Sequence, residues 1–287
     1  MMNTNYMRRV RVTIGRVVIE DLEIWATSPF DNDVTPNETR IQIINMSDKT
    51  VAKIKRGMKV TLEAGYAGDF GVLSVGKLDR ITERWEGPTK INSFYYFEGD
   101  DFSKIKVDEY NATRDTVKYH NTGHKKGDVV EGALAINFAK GTDGMTIIKR
   151  LTEALGMTVE GAIELRENKI YKKGFSCTKI ILNDLEQVVN DCGSIIYHRR
   201  GKIVIRPIDK GVDERFKLDV ETGLIGSPSY EEKDGAKVVK VRCALQHRIT
   251  TCSIIELDSK YIKGKFRAYK GEHKIEKTNF YTEFFCV

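Results

Sequence analysis

The sequence predicts a mainly β protein with an α+β segment in its middle. Alternating apolar and polar residues, broken by glycine-containing turns, dominate the first hundred residues and return from residue 211 to the end. Two runs of helical period and a hairpin lie between them. At 287 residues the chain is long enough for two or three domains, and we expect boundaries that give segments 1–100, 101–140, 141–210 and 211–287.

A hairpin is expected at the start of the first segment. Apolar residues alternate with polar ones from Val10 to Ile14, and Gly15-Arg16 suits a two-residue turn. Residues 8–27 should therefore form two paired strands. The apolar phase changes in the second strand, which predicts a bulge near Glu20-Asp21.

The rest of the first segment is predicted to be a half-buried sheet with one small helix. A turn at Thr35-Pro36-Asn37 precedes the first of its strands. Ser47 is a good N-cap and Gly57 a good end for the short helix. The strands expected after the turn are 41–44, 58–66, 70–81 and 94–97.

Residues 101–140 show no sustained period and are expected to form a long loop or insertion. His120 and His124 have the spacing of two ligands on one helix face. Asn121 and Gly123 disfavour a helix there, so we do not expect a metal site.

Residues 141–210 are predicted to be a compact α+β unit. The first helix runs over 142–156, with Thr142 as N-cap and Gly156 as its stop. The second carries a core stripe over 181–192 and ends at Gly193. The hairpin that follows, residues 194–207, turns at Arg200-Gly201.

The last segment is predicted to be strand and turn throughout. Asp234-Gly235 is a hairpin turn, and the residues from Val239 to Leu245 alternate between apolar and polar. Further strands are expected at 254–257, 265–269 and 280–286.

The formal charge of +6 is modest and spread along the chain, so we expect no specific nucleic-acid recognition. The densest basic clusters, residues 8–11 and 198–202, are expected to be solvated faces of strands. No apolar run is long enough for a membrane segment or a signal-peptide core. The five cysteines are odd in number and lack a Cys-x-x-Cys pair, which predicts buried free thiols in a protein made in a reducing compartment.

Two groups of residues are candidate sites. Glu83 and Glu86 flank Trp85, as paired carboxylates beside a sugar-stacking ring would, but solvated acids at a strand end are the expected interpretation. Cys243, His247 and Cys252 resemble a zinc set only superficially. On a strand, positions four apart are separated by about 13 Å, too far for one ion. We therefore expect no catalytic residue, no cofactor and no metal.

Several short motifs, in their order along the chain, resemble bacteriophage tail hub proteins, which lie where the tail tube meets the baseplate or tail tip. They are Ile44-Asn45-Met46-Ser47, Gly57 with Val60, Ala64-Gly65-Tyr66, Gly76, Lys173-Gly174-Phe175, Asp191-Cys192-Gly193, Arg200-Gly201, the stretch Gly223-Leu224-Ile225-Gly226-Ser227-Pro228, Leu245 with His247-Arg248, Ser253-Ile254-Ile255 with Leu257, and Gly264 with Phe266-Arg267. Residues 101–140 depart from the family pattern.

The resemblance implies two tail-tube-like β-barrel domains that flank a small α+β domain. It also implies a homotrimer that joins the tail tube to the baseplate or tip as a structural protein without enzymatic activity. The implied partners are the tail tube or distal tail protein, baseplate, tip or spike proteins and, as a further option, the tape measure protein. The implied location is the virion tail, after synthesis in the host cytoplasm.

Two other functions remain open from the sequence. One is a tail-associated cell-wall hydrolase that uses the acids near Trp85. The other is a β-sandwich module that binds carbohydrate or protein.

Overall fold

The computed structural model describes residues 7–103, 105–107, 136–177, 180–233 and 235–287. Strands dominate these ranges and the helices are short, so the predicted mainly β fold is confirmed. The chain divides into two compact units. The first comprises Met1–Asp100, Tyr197–Lys202 and Asp209–Val287, and the second comprises Asp101–Ile196 and Ile203–Ile208.

The N-terminal part of the first unit contains seven of the strands and one helical turn. Ser47 caps that turn, because its hydroxyl accepts a hydrogen bond from the Thr50 N–H at 3.2 Å. The elements are β1 (Arg8–Ile14), β2 (Val17–Ile19), β3 (Ile24–Asp31), β4 (Glu38–Ile44), α1 (Asp48–Val51), β5 (Lys59–Tyr66), β6 (Asp69–Glu86) and β7 (Thr89–Glu98).

The middle of the chain contains two amphipathic helices among short strands, as predicted. Its elements are β8 (Ile136–Phe138), β9 (Thr142–Asp143), α2 (Gly144–Ala154), β10 (Ile170–Tyr171), β11 (Phe175–Cys177), α3 (Ile181–Asp191), β12 (Ser194–Arg199) and β13 (Lys202–Pro207). The predicted stripe of α3 is buried from Ile181 to Val189, and Gly193 follows the helix with φ +65°.

Asp143, and not the predicted Thr142, is the N-cap of α2. Its carboxylate accepts hydrogen bonds from the N–H of Thr146 at 3.1 Å and from the Thr146 hydroxyl at 2.8 Å. These bonds, with one from Asn168, lower the pKa of Asp143 to about 2. Gly156, the predicted end of this helix, follows the C-cap residue Leu155 and has φ +63°.

The C-terminal part of the first unit is again built of strands. They are β14 (Val212–Leu218), β15 (Ser229–Lys233), β16 (Ala236–Ala244), β17 (Ser253–Asp258), β18 (Lys263–Ile275) and β19 (Phe280–Cys286). The predicted alternation is confirmed, since Val239, Val241 and Cys243 are buried. The predicted turn residue Asp234 lies outside the described residues, as do His120 and His124.

One sheet of thirteen strands runs through the first unit. Its main path is β15-β16-β19-β18-β3-β4-β7-β6-β5-β1-β2, and β17 and β14 branch from β18. Antiparallel pairing of β18 with β3, from Lys270 opposite Asp31 to Ile275 opposite Ala26, joins residues from the two ends of the chain. The predicted division into two separate barrels and the predicted domain boundaries stay predictions.

The core of this unit lies under the buried face of the sheet. Ile41, Leu62 and Phe94 belong to a cluster built mostly by residues of the N-terminal strands. Leu218, Val241 and Phe284 belong to a second cluster built mostly by residues of the C-terminal strands. A buried imidazole, His273 on β18, lies beside Phe30 with ring centroids 5.2 Å apart, and burial lowers its pKa to about 3. His273 is therefore neutral at physiological pH.

Several predicted boundaries were wrong. The second arm of the first hairpin ends at Ile19, and the change of apolar phase marks the start of β3, which pairs with β4 and β18. The helix after Ser47 ends at Val51, and Gly57 donates its N–H to the Leu78 carbonyl oxygen. Strand β6 continues past Ile81 to Glu86 because β7 pairs with it along that length.

Gly76 on β6 lies where the backbones of β6 and β7 approach closely. A Cβ at this position would overlap the Phe97 carbonyl oxygen. We expect Gly76→Ala to lower the free energy of unfolding by about 3 kcal/mol, because backbone must shift to admit the methyl group. Urea denaturation monitored by circular dichroism measures the loss.

Gly87→Ala is the matched control, since Gly87 has φ +58° and no atom lies within 4 Å of the place that an alanine methyl group would take. Its expected cost is about 1 kcal/mol, from the left-handed backbone alone. Equal losses for the two variants would contradict the close approach at Gly76.

Candidate functional site

The tip of the β12–β13 hairpin, residues Tyr197–Lys202, lies among strands of the first unit. Arg200 and Gly201 both have positive φ, +50° and +79°, which is the backbone of a type I′ turn. A side chain at Gly201 would come within 2.5 Å of the Val75 carbonyl oxygen. Only glycine therefore fits at the deepest point of this turn.

Glu98, at the end of β7, receives the turn. The N–H of Gly201 donates to its Oε1 at 3.1 Å, and the Arg200 N–H also hydrogen-bonds to this carboxylate. Glu98 is only 2% exposed, and burial raises its pKa to about 7. An ordinary glutamate would be fully ionised at neutral pH, whereas Glu98 is near the midpoint of its titration.

Arg199 forms the second anchor of the hairpin tip. Its guanidinium is buried, pairs with the Glu214 carboxylate and donates to the Thr251 carbonyl oxygen at 2.6 Å. The Ser253 hydroxyl oxygen lies 3.4 Å from the same guanidinium. Because each buried charge has an opposite charge or a hydrogen-bond partner, the ion pair can be held without an unpaired charge.

A third contact joins Arg200 and β6 to the loop before β17. Arg200 Nη2 donates to the His247 carbonyl oxygen at 2.9 Å. Asp69 accepts from Gln246 Nε2 at 2.8 Å and from Arg248 Nη2 at 3.0 Å. His247 Nδ1 lies 3.6 Å from Asp69, and burial lowers the pKa of His247, so this contact joins a carboxylate to a neutral imidazole.

We call this set of residues the hairpin-tip cluster: Asp69, Glu98, His198, Arg199, Arg200, Gly201, Glu214, His247, Arg248 and Ser253. It holds together segments that are far apart in the sequence. Its ion pairs fix the positions of charged side chains, and Glu98 can gain or lose a proton near neutral pH. The cluster is therefore suited to fixing the fold and to responding to pH.

The prediction for the basic residues of this cluster was wrong. A solvated strand face was expected for residues 198–202, but His198 is 2% and Arg199 6% exposed. His198 Nε2 lies 3.1 Å from the Val34 carbonyl oxygen, to which it donates. The partners of both side chains come from distant segments, so no local pattern could find them. In the other basic cluster, Arg8 and Arg9 are exposed as predicted, while Arg11 is partly buried and pairs with Glu20.

The acids near Trp85 form no carboxylate pair. Glu83 lies 3.0 Å from Lys90 Nζ, while Glu86 lies 2.9 Å from Arg84. Residues three apart on a strand project from opposite faces, so the two acids cannot flank one bond of a substrate. Trp85 is 64% exposed at this strand end.

Cys243, His247 and Cys252 lie in different surroundings. Cys243 is buried in an apolar cluster, which raises the pKa of its thiol to about 12. Cys252 Sγ lies 3.4 Å from Arg267 Nη1, and His247 faces Asp69. Within the described ranges, no three residues of metal-ligating type come together. All five cysteines are buried, as predicted.

Solved structures define the class of fold, which is that of phage tail proteins. The 43 kDa tail protein of prophage MuSo2 from Shewanella oneidensis is similar over 98% of both chains, with a TM-score of 0.66 and 8% sequence identity. A tail protein from Neisseria meningitidis MC58 matches 98% of this chain and 96% of its own, with a TM-score of 0.61 and 9% identity.

A secretion-system protein has a similar fold. The E. coli c3393 protein, a component of the type VI secretion system described as similar to the T4 tail proteins gp27 and gp5, matches with a TM-score of 0.59. The match has 7% identity and covers 96% of this chain and 76% of that protein. No protein-family model and no curated protein sequence matches the chain.

Among the described helices, none combines the length and apolar character required to cross a bilayer.

Arg199 and Glu214 provide a test of the hairpin-tip cluster. We expect Arg199→Met to lower the free energy of unfolding by about 3 kcal/mol, because it removes the buried partner of the Glu214 carboxylate and leaves that group only Arg200, at 3.7 Å. Arg56→Met is the matched control: Arg56 pairs with Asp79 but its side chain is 80% exposed, so we expect a loss of at most about 1 kcal/mol. Urea denaturation of both variants measures the difference, and similar losses would show that the cluster contributes no special stability.

Proposed function

We propose that this chain is a structural hub of a phage tail or a related contractile particle, in which a homotrimer joins the tail tube to the baseplate or tail tip. The observation that carries the proposal is the similarity of fold to two tail proteins over nearly the whole of this chain. The type VI secretion component adds support, because it is described as similar to gp27 and gp5 of the T4 tail.

The first unit is suited to this role by its sheet. A hub must stay rigid while it binds other proteins through its outer surfaces. Pairing of β18 with β3 makes one sheet from both ends of the chain, and the hairpin-tip cluster fixes three further segments against it. Rigidity of this kind favours a ring built from repeated, like interfaces.

We further propose that the ring contacts include the two ends of the sheet. In the described pairing, β2 and β15 occupy the ends of the main strand path. Strands at the ends of sheets carry backbone groups that can pair with another chain. Val18 on β2 and Tyr230 on β15 are both more than half exposed and provide apolar contact area there.

The proposed partners follow from the hub role. The tail tube or distal tail protein would bind one side of the ring, and baseplate, tip or spike proteins the other. The tape measure protein is a further candidate partner. The proposed location is the virion tail, after synthesis in the host cytoplasm, and the proposed function is non-enzymatic, with no cofactor or metal.

The oligomeric state tests the hub proposal first. We expect light scattering of the purified protein to give three times the mass of one chain, and negative-stain images to show rings with a central hole. A pull-down would then show whether the tube protein and the tip proteins bind the ring. A protein that stays monomeric at all concentrations, even with the tube protein present, would contradict the proposal and favour a free-standing binding module.

Val18→Lys tests the proposed contribution of β2 to the ring. A charge placed at this exposed end-strand position should weaken a strand-to-strand interface and shift the trimer towards monomer. Val220→Lys is the matched control, since Val220 is the more exposed of the two valines and lies in the turn after β14. An unchanged trimer for Val18→Lys would place the ring contacts elsewhere.

The hydrolase alternative is tested by Glu83→Gln and Glu86→Gln. Because these acids are exposed and paired with different cations, we expect both variants to assemble normally and particles that carry them to clear cell wall at the wild-type rate. Loss of clearing with assembly intact would establish the hydrolase function instead.

A further inference from the structure

Glu98 differs from the other carboxylates of the hairpin-tip cluster in having no cation beside it. Glu214 pairs with Arg199, and Asp69 lies 3.0 Å from Arg248. Within the described part of the chain, Glu98 takes part in no ion pair although it is 2% exposed. A carboxylate that is buried without a counter-ion is expensive to keep ionised, because it has lost its hydration and gained no opposite charge.

The groups that face Glu98 only partly offset the cost of burying its negative charge. Gly201 and Arg200 supply backbone N–H donors, which favour the carboxylate, and Arg199 favours it through a longer-range attraction. Asp31 on β3 opposes it by repulsion, and the buried Tyr96 phenol on β7 stays neutral because burial raises its pKa. Other charged or titratable groups on the neighbouring elements have partners of their own: His198 bonds to the Val34 carbonyl, Glu214 pairs with Arg199, and Lys77 pairs with Asp100. On β6 and β4, Asp79 pairs with Arg56 and Arg80 pairs with Glu38.

The packing around the carboxyl group is tight. A Cβ at Gly99, the residue after Glu98, would come within 2.5 Å of His198 Nδ1. Gly201 is similarly confined by Val75. The seated hairpin tip therefore packs closely beside Glu98, which is 2% exposed, and a movement of the tip would expose the carboxyl group to water.

We propose that Glu98 is a proton-dependent switch for the hairpin tip, which stays seated while Glu98 is protonated and opens more readily once Glu98 is ionised. Protonated Glu98 keeps an oxygen that accepts the Gly201 N–H and no longer carries a buried charge. Ionised Glu98 gains hydration when residues 197–202 move away. The inference concerns the fold of the first unit and does not depend on the proposed hub function.

The direction of the pH effect follows from proton linkage. Seated Glu98 has a pKa of about 7, and opening returns it towards its ordinary value of 4.5. The seated state therefore binds the proton more tightly, and its extra stability is fully present below pH 4.5 and lost as the pH rises through 7. Between these limits the opening equilibrium should increase by up to about 300-fold, and it should be flat on either side.

Hydrogen exchange tests this switch in the full chain. We would measure exchange of the amides in residues 197–202 from pH 5 to pH 8, and divide each rate by the intrinsic rate at that pH. The wild type should show opening that increases steeply between these values. Glu98→Gln should show opening that is nearly independent of pH and, at pH 8, more than tenfold rarer than in the wild type. Glu86→Gln, an exposed control, should follow the wild type.

Identical pH dependence in the wild type and Glu98→Gln would overturn the proposal. If Glu98→Gln fails to fold, a ¹³C NMR titration of the Glu98 carboxyl group in the wild-type protein decides the matter. An apparent pKa near 7, together with the pH-dependent exchange, supports the switch. An apparent pKa near 4.5 overturns it, because the seated state would then bind the proton no more tightly than the open one.

Discussion

The pairing of β18 with β3 is the interaction on which the first unit depends. It places Lys270–Ile275 of β18 against Ala26–Asp31 of β3 and so makes one sheet from segments more than two hundred residues apart. Without it the N-terminal and C-terminal strands would each present an open edge to solvent. The apolar clusters on either side, around Leu62 and around Phe284, lie under strands of this same sheet.

The hairpin-tip cluster adds a polar constraint to this apolar framework. Apolar packing tolerates changes of shape, whereas buried charges must meet particular partners. Arg199 satisfies this requirement with Glu214, and Gly201 brings its backbone close enough to bond to Glu98. For Glu98, the one carboxylate of the cluster without an ion-pair partner among the described residues, burial raises the pKa to about 7. A cluster that fixes the fold thus contains the group most able to loosen it.

Local patterns in the sequence were sufficient where structure depends on near neighbours. The strand β19 was predicted at Phe280–Cys286, and the buried stripe of α3 was predicted residue by residue. Local patterns were insufficient where a residue distant in the sequence determines whether a side chain is buried. A polar residue on a strand is equally compatible with water and with a buried ion pair, so the burial of Arg199 could not be predicted without knowing that Glu214 lies beside it. The parallel pairing of β14 with β17 was missed for the same reason.

The hub proposal is tested most directly by the position of this chain in the intact particle and by its copy number in each tail. Tail particles made with a C-terminal epitope on this chain would be labelled with gold-conjugated antibody, imaged by electron microscopy, and analysed for copy number by quantitative mass spectrometry. We expect label only where the tail tube meets the tip, with three copies of the chain in each tail. Label along the whole tube, or particles that contain none of the chain, would contradict it.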